Sequence, residues 1–368
     1  MRLSAFNLAR VICASLLPGV MMSALPVPSA AQTQVRDWEV PFFTLRDRTD
    51  SDDPGDLYGS ERSDLKAGWC RVRELNLNIL SPLADSAPSF IRDEFLRVDQ
   101  VREKDSNSVL DAFQPAATSG APLVYVHGYY ISFEKGCRRA VLLQQNADLA
   151  GRLLWFSWPS DGAVAFYTHD EADLYWSVPD LAETIIEMER RFGGGVIDVV
   201  GHSLGARGVV LALYEVANRH PEIRLGEIVL LAADIDFAIF ERILPRIASI
   251  AQNITVYVTS TDRPLAISAQ LHGYPRLGEA GNDVSKLAGV EVIDLSDLPA
   301  DSPTGHLYHI YSKEVGDDLK QLLNEGKQAA ERRNLIKSGS NIWRLQTDEP
   351  EKTGTDQGFD QAESFFEN

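Results

Sequence analysis

VIDVVGHSLGARGVVLALYEVA, residues 196–217, decides the fold. Val196, Ile197, Val199 and Val200 are β-branched and favour an extended strand. Gly201-His202-Ser203-Leu204-Gly205 follows, and a helical pattern begins at once. A G-x-S-x-G pentapeptide between strand and helix is a nucleophile elbow, a tight turn that exposes a serine hydroxyl at the edge of a sheet. The flanking glycines have a steric reason: without Cβ atoms, strand and helix can approach closely around a strained serine. The helix that starts near Leu204 aims free N–H groups at the same point and favours negative charge there. Ser203 is therefore the candidate nucleophile.

Outward from the elbow, short apolar segments alternate with amphipathic ones. Residues 123–126, 153–158, 196–200, 227–233, 255–260 and 290–295 read as strands. Residues 133–149, 178–192, 205–219, 237–247, a segment after Pro264 and 309–323 read as helices. This alternation predicts an α/β protein with a mainly parallel sheet and helices on both faces. Residues 32–115 are less periodic. There EVPFFTL (39–45) and GWCRVREL (68–75) read as antiparallel strands separated by the polar run RDRTDSDDPGDLYGSERSD. Past Gly326 the periodicity fades. One domain over 32–326 is expected, with residues 327–368 a polar, acidic tail without fixed structure.

The beginning of the chain reads as a secretory signal over residues 1–31. Arg2 and Arg10 form a basic region, Val11 to Leu25 an apolar one, and Ser29-Ala30-Ala31 a small-residue cleavage site. An uncleaved N-terminal anchor is the alternative. The expected location is periplasmic or secreted, with no stable membrane insertion after cleavage. Loss of Arg2 and Arg10 takes the formal net charge from -18 to -20. So acidic a chain does not bind nucleic acid or an anionic lipid surface through its overall field. Cys70 and Cys137 are the cysteines left after cleavage. They form either one disulfide between the N-terminal arm and the first core helix, or two buried thiols. No metal-ligand spacing of Cys and His appears, and no metal or organic cofactor is expected.

A serine nucleophile needs a base and an orienting acid, and α/β sheets gather active groups at the carboxyl ends of their strands. Asp262 follows the strand ending TVYVTS, and His306 lies on the Gly-led loop after the last strand. Ser203, Asp262 and His306 thus occur in nucleophile–acid–base order. Asp262 can alternatively cap the helix beginning near Pro264. Asp234 and Asp236 are competing acids, and His309 is the competing base. For an oxyanion, the Leu204 N–H and an N–H from the loop His127-Gly128-Tyr129-Tyr130, that of Tyr129, are the candidate donors. His127 reads as a residue that orients this loop. The segment 156–176 carries Trp158, Phe166, Tyr167, Tyr175 and Trp176 and is either an apolar wall over the site or a packed connection. Within it, His169 and Asp170 read as surface residues.

PFFTLRDR, LYGSERSDLKAGWCRV, LVYVHGYYISFEKGCRRAV, FSWPSDG, GHSLGAR, LLAADIDFAIF, VYVTSTDRPLAIS, LHGYPRLGEAG and the Gly-His of TGHLYHI together resemble a bacterial α/β-hydrolase family of unknown function, of the esterase/lipase-superfamily type. The resemblance runs from about Phe42 to Leu323. It implies the α/β-hydrolase fold and a Ser203–Asp262–His306 triad. The chain departs from the family pattern at Tyr130, often Asn, and at Leu307-Tyr308, often Ser-Tyr. The expected activity is a serine hydrolase of carboxylic esters or related small acyl substrates, acting through an acyl-enzyme. A thioesterase or acyltransferase would use the same residues, and a non-catalytic envelope-associated binding protein would keep the fold alone.

Overall fold

In the computed structural model, residues 37–75, 93–113, 122–162, 166–195, 197–299 and 302–347 are described. The expected signal over residues 1–31, and the expected tail from residue 348 on, lie outside them. The elements follow in the order β1 (Asp37–Arg48), β2 (Tyr58–Glu74), β3 (Leu96–Lys104), α1 (Ser106–Asp111), β4 (Leu123–Val126), α2 (Phe133–Asn146), β5 (Leu153–Ser157) and α3 (Tyr167–Phe192). Then come β6 (Asp198–His202), α4 (Leu204–Arg219), β7 (Leu225–Leu231), α5 (Phe237–Ala248), β8 (Ala251–Val258) and α6 (Arg263–His272). The last are β9 (Val290–Asp294), α7 (Tyr308–Tyr311), α8 (Lys313–Leu323), β10 (Leu335–Lys337) and β11 (Ile342–Leu345).

The strands form one sheet in the order β10-β11-β9-β8-β7-β6-β4-β5-β1-β2-β3. From β11 to β1 every neighbouring pair is parallel, and the antiparallel pairs lie at the two edges. The two-residue period of a strand sends its side chains to two cores. Val124 and Val126 of β4 join α3, α4 and α5 on one face, while Leu123 and Tyr125 join α2 and α8 on the other. The expected parallel sheet covered on both faces is present.

Three regions differ from the expectation. The polar residues Tyr58 to Asp64, read as a connection, are the start of β2 and pair with β1 across two register shifts. Tyr58 is the one buried side chain of this stretch, so no apolar alternation marks it. Helix α3 begins at Tyr167 rather than 178 and runs through Pro179. Proline removes the N–H that would bond the carbonyl of Tyr175. The residues after 326 are not structureless as far as 347. β11 pairs in parallel with β9, and β10 pairs with β11. Trp343 and Leu345 are buried there, which supplies the apolar anchoring that a composition average over the whole tail conceals.

Cys70 on β2 and Cys137 on α2 form a disulfide. No helix among the described residues is long and apolar enough to cross a membrane.

Candidate active site

β4 and β6 are neighbours, but the chain leaves them in opposite directions, to β5 on one side and to β7 on the other. Such a switch point opens a crevice at the carboxyl ends of the strands. Ser203 lies at this switch point, buried between β6 and α4, with φ 55° and ψ −124°. A side chain with a Cβ is strained there, so its surroundings must hold it. The Ser203 N–H donates to the Leu231 carbonyl at 2.9 Å, and its own carbonyl accepts the N–H groups of Asp234 and Ala206 at 3.1 and 3.0 Å. Gly205 lets the helix enter closely: a Cβ on it would lie 2.2 Å from the His127 carbonyl oxygen.

Asp262 caps a helix and meets a histidine at once. Oδ1 accepts the Leu265 N–H at 3.0 Å and caps α6, while Oδ2 lies 2.7 Å from His306 Nδ1. The loop bearing His306 is tied to the same cap, since the Arg263 N–H donates to the Thr304 carbonyl at 3.1 Å. His306 rests on the elbow through His202, whose Nε2 donates to the His306 carbonyl at 3.1 Å and whose ring lies 4.6 Å from that of His306. No hydrogen bond joins Ser203 directly to His306. His309 lies deeper. It is fully buried, its ring 4.1 Å from that of His202, its Nε2 3.5 Å from the Tyr125 hydroxyl, and its Nδ1 without a partner. Burial first, and the nearby positive potential second, hold the imidazoles of His202 and His309 well below their ordinary pKa. Both are therefore neutral at physiological pH.

Leu204 is the first residue of α4, so its N–H has no intrahelical acceptor and faces the crevice end of the helix. The loop after β4 passes directly over the elbow: a Cβ on Gly128 would lie 2.9 Å from Ser203 Cβ. Tyr129 follows, half-buried, with its ring edge-on to Tyr167 at 5.2 Å. His127 is fully buried and stacks on Trp158 at 5.0 Å, and its carbonyl accepts the Trp158 indole N–H at 2.8 Å. This packing leaves it no access to the serine hydroxyl as a base. Arg46 fastens the same loop, its guanidinium donating to the carbonyls of Ile131 and Ser160 at 2.6 and 2.9 Å.

The competing acids are engaged elsewhere. Asp236 caps α5 through the N–H groups of Ala238 and Ile239. Asp234 is buried and accepts hydrogen bonds from Ser268 Oγ at 2.6 Å and Arg276 Nε at 2.9 Å, and from the Tyr167 hydroxyl. Arg207 completes the cluster, 3.4 Å from Asp234, and also pairs with Glu171. Burial pushes the Asp234 carboxyl up, but Arg207, the two hydroxyls and Arg276 outweigh it and hold the group below its ordinary range. This network was not legible in the sequence. Its only local signal is Arg207, a charge on the otherwise apolar start of α4. Asp170, expected at the surface, is fully buried and accepts the Tyr130 N–H at 3.1 Å, which fixes the loop after β4 from α3.

The switch-point crevice, the strained serine on its elbow and the parallel sheet between helical layers define the α/β-hydrolase class of fold. The chain belongs to the family described as alpha/beta hydrolase of unknown function (DUF900), which it matches over residues 103–325. No curated protein matches it. Among solved structures it is similar to Est1E from Butyrivibrio proteoclasticus, at 11% identity and a TM-score of 0.36, over 55% of this chain and 87% of that one. It is also similar to a lipase-esterase related protein from Clostridium acetobutylicum, at 11% identity and a TM-score of 0.34, over 56% and 96% of the two chains. The NocB thioesterase domain from the nocardicin cluster matches at 17% identity and a TM-score of 0.34, over 58% and 96%.

Proposed function

We propose that this α/β-hydrolase is an exported serine hydrolase of carboxylic esters, with Ser203 as nucleophile, His306 as base and Asp262 as orienting acid. The observation that carries this reading is the 2.7 Å contact between Asp262 Oδ2 and His306 Nδ1, on a loop packed against the serine elbow. The contact fixes the proton on Nδ1 and leaves the Nε2 lone pair to act as base. Nε2 removes the proton from Ser203 Oγ as the oxygen attacks the ester carbonyl. The N–H groups of Leu204 and Tyr129 bind the resulting oxyanion. Collapse expels the alcohol, which takes its proton from His306. Water activated by the same imidazole then hydrolyses the acyl-enzyme. Hydrogen bonds between catalytic groups commonly tighten only once substrate is bound, which accommodates the missing Ser203–His306 bond. His309 is a poorer base because its ring is buried beneath His202.

The aromatic rings of Tyr129 and Tyr167 beside the crevice suit an acyl chain or aromatic group as substrate. Export is supported by the signal-like residues 1–31 and by the Cys70–Cys137 disulfide, a bond that persists in oxidising compartments. The test is turnover of p-nitrophenyl esters from acetate to palmitate by the protein and by Ser203→Ala, alongside labelling by a fluorophosphonate. Activity and labelling that vanish in Ser203→Ala support the reading, and the best chain length sizes the pocket. Labelling without ester turnover would point to an acyltransferase or thioesterase. Neither labelling nor turnover would point to a binding protein.

A further inference from the structure

Away from the elbow, three side chains with metal-ligating atoms converge where the chain passes from β5 into α3. Asp161 Oδ2 lies 2.5 Å from His169 Nδ1, and Asp173 Oδ2 lies 3.3 Å from the same nitrogen. All three donor atoms fall within 4.8 Å of one another. His169 and Asp173 are four residues apart on α3 and so project from one helix face, while Asp161 approaches from the loop.

Asp173 is the decisive group. Its side chain is only 2% exposed. Oδ1 accepts from Arg62 Nε at 2.6 Å, but Oδ2, the oxygen turned toward His169 and Asp161, accepts no hydrogen bond. A buried carboxylate oxygen without a donor is costly unless positive charge stands against it. Among the described residues, the charged groups around this point and Arg46 are the carboxylates of Asp47, Asp161, Asp170 and Asp173, the guanidinium groups of Arg46 and Arg62, and His169, whose pKa is raised by its contact with Asp161 and by Asp173. Asp170 is not spare, since Ser160 Oγ and the N–H groups of Asp161 and Tyr130 donate to it. Arg46 spends its donors on Ser157 Oγ and on the carbonyls of Gly59, Ser160 and Ile131. The same carboxylates that favour a proton on His169 favour a dication in its place: once the imidazole gives up that proton, carboxylates outnumber guanidinium groups.

We propose that Asp161, His169 and Asp173 bind one divalent transition-metal ion, Zn²⁺ or Mn²⁺. One imidazole nitrogen with two carboxylate oxygens suits such borderline ions, and water completes their coordination. Ca²⁺ asks for six to eight oxygens, which this set does not offer. Binding displaces any proton that His169 shares with the carboxylates, and the short Asp161–His169 contact opens as both donors turn to the ion. The ion cross-links the loop after β5 to the first two turns of α3. That segment also carries Tyr167, which reaches Asp234, and Asp170, which holds the Tyr130 N–H. Its role is structural support for the crevice wall, and it does not depend on the hydrolase reading.

The test is calorimetric titration of the chelator-stripped full chain with ZnCl₂ and with MnCl₂, together with thermal unfolding with and without each ion. The expected result is saturable uptake of one ion per chain and a higher unfolding midpoint. Binding should weaken at least about tenfold in His169→Ala and in Asp161→Asn. Both positions reach the surface, so both variants should fold, which circular dichroism verifies. Absence of saturable uptake of either ion overturns the proposal, as does undiminished binding in both variants. A stability gain that follows pH alone also overturns it, because a proton would then be the occupant.

Discussion

One carboxylate serves two neighbours: Asp262 Oδ2 lies 2.7 Å from His306 Nδ1, while Oδ1 accepts the Leu265 N–H at 3.0 Å. An asparagine keeps the cap, because Asn is as good an N-cap as Asp. It also turns an N–H group toward His306 and forces the wrong tautomer. Asp262→Asn should therefore leave the unfolding midpoint nearly unchanged while kcat falls on the order of 10⁴-fold. A variant with full activity would reduce Asp262 to a helix cap.

Gly128 tests the geometry over the elbow. A Cβ there would lie 2.9 Å from Ser203 Cβ and 3.1 Å from His202 Nδ1, both on rigid, buried elements. The loop after β4 must then shift and carry the Tyr129 N–H with it. Displacements of about 1 Å can cost about 10²-fold in rate. Gly128→Ala should lose about that much kcat and roughly 1–3 kcal/mol of stability from overpacking. Steady-state kinetics and urea denaturation of the same preparation separate the two effects.

Three fully buried imidazoles should make the fold sensitive to mild acid. His127, His202 and His309 are held well below their ordinary pKa, chiefly by burial. Below about pH 6.5 the unfolded chain takes up protons that the folded chain refuses. Stability is thus full above that value and falls as pH drops, by up to about 1.4 kcal/mol per pH unit for each histidine. Urea midpoints measured from pH 7.5 to 5 should decline together with net proton uptake on unfolding. A flat profile would mean that these rings titrate normally in the fold.

Asp234 acts at lower pH. Its carboxyl is held below the ordinary range by Arg207, Ser268, Tyr167 and Arg276 despite burial. The stability it contributes is present above about pH 4 and is lost as pH falls through the depressed folded value. Asp234→Asn leaves buried guanidinium groups underpaired and should cost about 3–5 kcal/mol near neutral pH. The gap from the parent protein should close on acidification, as unfolding titrations at stepped pH would reveal.

The Cys70–Cys137 disulfide closes a loop with a sequence separation of 67 residues and staples β2, the strand next to the β3 edge, to α2. Removing a native disulfide typically costs about 2–5 kcal/mol. Cys70→Ser/Cys137→Ser should show a lower thermal midpoint than the parent, and reductant should lower the parent to the same value. A midpoint unmoved by either treatment would mean that the bond does not constrain the unfolded chain.

Residues 196–217 alone were enough to place Ser203 on a tight strand–turn–helix elbow, because such a turn is a local device. Its strand, turn glycines and helix are contiguous, and its strain has only a few sequence solutions. The alternation of apolar strands and amphipathic helices from β4 to α8 was legible for the same reason, since each element writes its own period into the chain. Local pattern also found Asp262 and His306 as residues at strand ends, without stating which atoms meet. Tertiary structure decided that one Asp262 oxygen caps α6 and the other faces His306, and that His309 lies buried beneath His202. It turned the polar starts of β2 and α3 into regular elements and brought β10 and β11 back to the edge beside β9. It also buried Asp170 against the distant Tyr130 N–H and gathered Arg207, Asp234, Ser268 and Arg276 into one network. These features rest on partners tens of residues away, and a polar side chain carries no mark in the sequence of the partner that will make its burial affordable.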